Sequence, residues 1–170
     1  MINTNKPNFT LRDAIPADLE PMRTIYNLAV LNTTASYDYE ARTEQAQIDW
    51  LAAKHAAGFP VLVAEQAGRV IGYASYGSFR AWAGYQFTAE HSVYVDENCR
   101  RQGVASALLT RLLELATAQK LHLLVAAIDA SNAGSIELHL RLGFESAGIL
   151  REAGYKFGRW LDVAFMTRRL

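Results

Sequence analysis

The chain of 170 residues has one cysteine, Cys99, and no excess of either charge, with 17 basic and 17 acidic side chains. A lone cysteine excludes an intrachain disulfide framework and points to a reducing, cytoplasmic setting. Balanced charge argues against a nucleic-acid binder, which usually carries a basic excess. No apolar run approaches the length of a membrane span. Residues 1–8 are polar and lack the apolar centre of a secretory signal. Repeats, low-complexity tracts and linkers are also missing, so one domain over residues 1–170 is expected. Neither Gly-x-Gly-x-x-Gly nor a glycine loop ending in Gly-Lys-Ser/Thr occurs, which removes the two common phosphate-binding fingerprints. No residues are assigned to a metal.

What is present is apolar surface, at 51% of residues, enough for a sizeable core. Residues 9–12 alternate and read as a first or edge strand. Pro16 opens a helix to about residue 30, with Asp18 and Glu20 in an acidic first turn. Residues 31–42 read as a loop. Thr43 caps a second helix that ends at Gly58. Two strands, 61–65 and 70–76, flank a hairpin turn at 66–69. Residues 77–88 are irregular and aromatic. Val104, Leu108, Leu112 and Leu115 recur at helical spacing, as do Ala105, Leu109, Leu113 and Ala116, so a buried helix runs to about Lys120. Residues 123–128 form a buried apolar strand. A strand at 147–156, a turn at Gly158 and a strand at 161–167 close the chain.

The joint Val93-Tyr94-Val95-Asp96-Glu97-Asn98-Cys99-Arg100-Arg101-Gln102-Gly103-Val104-Ala105 carries the most information. A strand runs through a polar turn into a helix whose first N–H groups have no intrahelical partner and attract anions. Gly103 and Ala105 keep that turn bare. A glycine there also serves plain backbone geometry. One helix and one strand later comes Asn132-Ala133-Gly134-Ser135-Ile136-Glu137-Leu138-His139-Leu140-Arg141-Leu142-Gly143-Phe144.

The pair of motifs resembles the two signatures of the GCN5-related N-acetyltransferases. The resemblance implies an α/β fold of the β-α-α-β-β-β-α-β-α-β-β order, with a splayed central mixed sheet flanked by helices. It implies an acetyl-CoA site made by Val93, Tyr94, Val95, Arg100, Arg101, Gln102, Gly103, Val104, Ala105, Ser106, Asn132 and Ser135. Three further stretches, around Asn32 to Tyr37, Gly72 to Trp82 and Thr88 to Val95, resemble the phosphinothricin/methionine-sulfone N-acetyltransferase group, as does Glu152 to Val163. That group acetylates the α-amine of small amino acids and glutamate-like analogues, as a homodimer. Ala105 stands where many members have glycine. His139 stands where the broad family usually has tyrosine.

Acetyl transfer from a thioester to an amine needs a base for the amine, donors for the oxyanion and a proton for the departing thiolate. Glu90, at the start of the strand before the loop, is the expected base, or else a surface glutamate in an ion pair. His139 is the expected proton donor, because an imidazole titrates near neutrality; the alternative is a helix histidine satisfied locally. The oxyanion donor is expected among the N–H groups near Tyr94 and Val95, and the same segment is expected to bond the pantetheine amides as an added strand would. Arg80 is the expected partner of the substrate carboxylate, or a solvated loop arginine, with Trp82 as a pocket wall and Tyr37 and Phe79 shaping the pocket. His91 and His122 read as structural and His55 as solvent-facing. Cys99 reads as a spectator thiol. Arg159 and Lys156 are not separable here between substrate, dimer and surface roles. Acetylation of peptide N-termini or polyamines, or silent acyl-CoA sensing, stay open as alternatives.

Overall fold

The computed structural model describes residues 8–170, so the reading of residues 1–7 lies outside the described residues. Seven strands make one sheet: β1 (Thr10–Asp13), β2 (Val61–Gln66), β3 (Arg69–Ser78), β4 (Thr88–Val95), β5 (Leu123–Asp129), β6 (Glu145–Lys156) and β7 (Arg159–Arg169). Four helices cover it: α1 (Leu19–Asn32), α2 (Glu44–Ala56), α3 (Val104–Ala118) and α4 (Ala133–Arg141). The chain order is the expected one, and the mixed α/β sheet is found. Its spatial order is β1-β2-β3-β4-β5-β7-β6, in which β4 and β5 are the parallel neighbours.

Each central strand feeds two cores because successive side chains point to opposite faces. In β2, Leu62 and Ala64 pack towards α3, while Val61 and Val63 pack towards α1 and α2. Leu108, Leu109, Leu112 and Ala116 of α3 are buried against the first face. Met22, Ile25, Tyr26 and Val30 of α1 are buried against the second. Thr43 caps α2 as expected, its hydroxyl accepting the Ala46 N–H at 3.2 Å.

Two boundaries differ from expectation. Residues 16–18 form a separate 3-10 turn, with the Asp18 N–H on the Ile15 carbonyl at 2.9 Å, and α1 starts only at Leu19. Asp18 does not serve the helix dipole from the surface. It is buried and accepts from the Arg12 guanidinium at 2.6 and 2.8 Å and from the Ile15 N–H at 2.8 Å. The terminal hairpin is also longer than expected at both strands, because pairing of β6 and β7 continues from Glu145 opposite Thr167, through two bulges, to Lys156 opposite Arg159.

The feature that positions the site is a parting of strands. β4 pairs with β5 only through Thr88, Ala89 and Glu90, opposite Leu123, Leu124 and Val125. Beyond that point β4 follows β3 until Val95 lies opposite Gly72, and β5 follows β7 until Asp129 lies opposite Val163. A wedge therefore opens between residues 92–95 and 126–129.

Leu112 is fully buried in the core where α3 packs on the sheet. Leu112→Ala is expected to lower stability by about 2–5 kcal/mol through lost burial and a residual cavity. A denaturant titration monitored by far-ultraviolet circular dichroism measures this.

Candidate functional site

Strand parity decides which backbone groups face the wedge. The Asp96 N–H donates to the Ile71 carbonyl at 2.9 Å, across the β3 side. With a period of two, Tyr94 and Ser92 use that same side, opposite Tyr73 and Ser75. The N–H and C=O groups of Val93 and Val95 therefore turn into the wedge. The expectation of a donor near Tyr94 or Val95 narrows to Val95 and Val93, because the Tyr94 N–H is committed to β3.

The loop after β4 suits an anion. Gly103 has φ +83° and a Cβ there would meet nothing within 4 Å, so the approach is open. Arg101 also has a positive φ, 60°, which helps curl the backbone. The first bond inside α3 runs from the Ala107 N–H to the Gly103 carbonyl at 3.0 Å, and no side chain caps the helix. The N–H groups of Val104, Ala105 and Ser106 thus stay free for a ligand. Arg100, Arg101 and Gln102 are exposed around them. Cys99 is not part of this surface. It is buried in the α3-side core and accepts from Arg69 at 3.5 Å, as a packing thiol.

A cavity of about 470 Å³ occupies the wedge, within the size range of small-molecule sites. Glu90, Arg80, Tyr37, His139, Asn132 and Ser135 all contribute to its lining, as do Val93 and Tyr94. The structure thus gathers expected residues from four separate stretches. Burial pushes the half-buried Glu90 carboxyl above its ordinary value, and the nearby Arg80 guanidinium pulls it partly back. Arg80 lies over the Phe79 ring at 4.2 Å and gives one N–H to the Phe79 carbonyl at 2.8 Å. Among the described residues its other donors have no protein partner. Asn132 caps α4, its side-chain oxygen accepting the Ser135 N–H at 3.1 Å.

His139 is brought to the cavity, but both its nitrogens are engaged. Nδ1 lies 2.6 Å from the Ser135 carbonyl, and Nε2 lies 3.1 Å from Nε2 of His91. A carbonyl only accepts, so His139 carries its hydrogen on Nδ1. Its Nε2 lone pair then accepts the His91 Nε2–H, and His91 Nδ1 is left buried without a partner. The rings stack at 5.1 Å, and Phe144 meets both edge-on. Burial, reinforced by His139, pushes His91 down to about 3. Burial also lowers His139, against the raising effect of the Ser135 carbonyl. The pair is neutral at ordinary pH. Direct donation by His139 to a thiolate needs a free N–H facing the cavity, and this ring has none. The donor role expected of His139 would therefore need one of these two bonds to be released.

Other expectations are also revised. Phe79 does not line the cavity; it meets Tyr85 edge-to-face at 5.5 Å and lies against the Arg80 guanidinium. Trp82 is 71% exposed and forms no wall. His122, read as structural, is exposed, and His55 is exposed as expected. Tyr37 does line the cavity, its ring filling the space a Cβ would need at Gly154. Lys156 is buried, unlike the exposed Arg159, and binds two backbone carbonyls of the loop after α1. Two titratable lining residues were missed. One is His91, whose parity with the apolar positions Ala89, Val93 and Val95 was the available signal. The other is Asp129, whose Oδ1 accepts from the Ser131 N–H and hydroxyl, each at 2.8 Å. Burial alone would raise the Asp129 carboxyl, but bonds from Thr34 and Ser131 more than offset this and hold it below its ordinary value.

Comparison with known proteins agrees with this geometry. The model of the acetyltransferase (GNAT) domain family matches residues 11–165. An L-methionine sulfoximine/L-methionine sulfone acetyltransferase of Pseudomonas paraeruginosa is 48% identical over 95% of this chain and 94% of its own. The Salmonella typhimurium yncA structure with its cofactor acetyl-CoA superposes with a TM-score of 0.94 at 41% identity, covering 96% of this chain and 94% of the other. A phosphinothricin acetyltransferase of Sinorhizobium meliloti in complex with acetyl-CoA gives 0.93 at 39% identity, over 96% and 89%. The wedge between β4 and β5, the bare loop before α3 and these matches together place the chain in the GNAT acetyltransferase family.

Proposed function

We propose that the protein moves an acetyl group from acetyl-CoA to the α-amine of a small amino acid or glutamate-like analogue, such as methionine sulfone, methionine sulfoximine or phosphinothricin, by direct transfer in a ternary complex. One observation carries the reading most: Glu90 and Arg80 line the same small cavity at the mouth of the wedge. That puts a base for an ammonium and a fork for a carboxylate within one chamber, as a free amino acid requires.

Acetyl-CoA supplies the activated acetyl thioester. The free N–H groups of Val104, Ala105 and Ser106, with Arg100, Arg101 and Gln102 around them, hold its diphosphate. Val93 and Val95 bond the pantetheine amides from the open edge of β4, and the Val93 N–H, in the part of the strand that lines the cavity, is the backbone donor offered to the oxyanion. Asn132 and Ser135 bound the other side. Arg80 pairs with the amino-acid carboxylate. Glu90 accepts the amine proton, directly or through water, and its raised pKa makes it a better base than an exposed carboxylate. The leaving thiolate needs less assistance, because a thiol ionises near pH ~8.5. The His91–His139 pair forms a neutral wall beside it. The lone, buried Cys99 fits a cytoplasmic enzyme. No helix among the described residues is long and apolar enough to cross a membrane. The exposed Ile149, Leu150, Tyr155, Phe157 and Trp160 of the terminal hairpin fit a homodimer contact. One domain is taken to carry all of this.

Acetyl-CoA-dependent thiol release tests the assignment against methionine sulfone, phosphinothricin, spermidine and a short peptide. Turnover of the first two is expected. A preference for spermidine or the peptide would shift the substrate class, and silence with all four would leave an acyl-CoA sensor.

Gly103→Val is expected to abolish acetyl-CoA binding in calorimetry while circular dichroism stays native. The added bulk closes the approach to the helix N-terminus, and a β-branched residue resists positive φ.

Arg80→Ala is expected to raise the Michaelis constant for the amino acid on the order of a hundredfold, with little change for acetyl-CoA. It should also move the acid limb of the pH profile. Glu90 must be ionised to accept a proton, Arg80 lowers its pKa, and removing Arg80 therefore pushes the loss of activity to higher pH.

Glu90→Gln is expected to slow turnover most at low pH, with the defect shrinking as the amine deprotonates on its own. His139→Phe should slow it less than Glu90→Gln does at low pH. Steady-state rates across pH check the ranking, and a larger loss for His139→Phe would return the proton-donor role to His139.

A further inference from the structure

The acceptor side of the cavity is walled by a stretch with no regular structure, Thr34, Ala35, Ser36 and Tyr37. A loop is a poor wall unless something fixes its shape. Here the fixing comes from three consecutive residues of β6. Lys156 is 4% exposed, and its ammonium donates to the Thr33 carbonyl at 3.0 Å and the Ser36 carbonyl at 2.5 Å. The Tyr155 carbonyl accepts the Tyr39 hydroxyl at 2.5 Å. Gly154 leaves room for the Tyr37 ring.

Lys156 has no carboxylate within ion-pair distance among the described residues. A buried cation is expensive to desolvate and stabilises a fold poorly unless its donors are well placed. Two carbonyls three residues apart, converging on one ammonium, curl the loop around a fixed point. On its other side the loop is tied to α1, where the Thr33 hydroxyl donates to the Ala29 carbonyl at 2.7 Å and Tyr26 bonds Asp38 and Ser36. Lys156 makes no hydrogen bond or ion pair with β4 or with the loop before α3, the elements assigned to acetyl-CoA. Its influence is confined to the acceptor wall.

We propose that Lys156 is a positioning residue for the acceptor amino acid, setting the wall at residues 33–37 from the terminal hairpin through the Thr33 and Ser36 carbonyls. This rests on the acceptor reading of the cavity given above.

Lys156→Met keeps the length of the side chain and removes the donors. It is expected to raise the Michaelis constant for methionine sulfone by roughly ten- to a hundredfold, as a misplaced wall of about 1 Å would. The dissociation constant for acetyl-CoA should stay unchanged. Amide hydrogen exchange should quicken at residues 33–38 and stay unchanged in α3 and β5. Lys156→Arg, which keeps charge and donors, should recover part of the loss. Gly154→Ala is the second variant, should Lys156→Met fold poorly. Its methyl displaces the Tyr37 ring without altering charge, and the same split between the two substrates is expected. Equal weakening of both substrates, or unchanged exchange at 33–38, would overturn the proposal. Failure of the parent enzyme with every amino acid would instead overturn the acceptor reading, while the exchange data would still show whether Lys156 holds the loop.

Discussion

The constraint on which the site depends is the parting of β4 from β5 after Glu90 and Val125. Each strand keeps a partner on its outer side, β3 for one and β7 for the other, so the wedge opens without melting either. The inner backbone groups left over are unsatisfied unless a ligand or water takes them, and that obligation is strong in a partly buried seam. An extended, amide-bearing ligand meets it as a strand would. The helix that follows β4 begins where the wedge is widest, so the exposed N–H groups at its N-terminus and the open edge of β4 form one continuous track.

Chemistry concentrates at the mouth of the wedge because burial and charge act there against each other. Glu90 is pushed up by desolvation and restrained by Arg80, a balance that suits the base proposed for the amine. Across the strand, the same sheet parity that turns Glu90 towards α1 and α2 turns His91 towards α4. There it meets His139, and the two facing Nε2 atoms pair, while His91 Nδ1 has no partner among the described residues. The result is an asymmetric chamber, titratable on the Glu90 side and neutral on the side of the two imidazoles, which the proposed reading assigns to amine and sulfur. That asymmetry follows the chemistry, since an ammonium must lose a proton while a thiolate departs with less help.

Much of this was legible in the sequence where the signal is local. The repeats of Val104, Leu108, Leu112 and Leu115 and of Ala105, Leu109, Leu113 and Ala116 marked α3, and Thr43 marked the start of α2. Glu90 and Arg80 were legible through resemblance alone, since strand periodicity says which side chains share a face but not where a sheet parts. The rest depended on distant partners. Lys156 binds carbonyls 120 and 123 residues away, and backbone acceptors leave no trace in residue identity. His139 was visible as a helix histidine, but its commitment to His91 arises from the packing of α4 on β4. Phe79 and Trp82 looked like pocket residues because aromatics flank Arg80, yet the 3-10 turn at Ala83–Tyr85 carries that loop outward.

Residue-resolved amide exchange with and without acetyl-CoA tests the wedge most directly. The account predicts new protection at Val93 and Val95 and at residues 104–106, with Ser92 and Tyr94 unchanged because they already bond β3. Protection that spreads evenly along β4, or that is absent from the wedge, would contradict it.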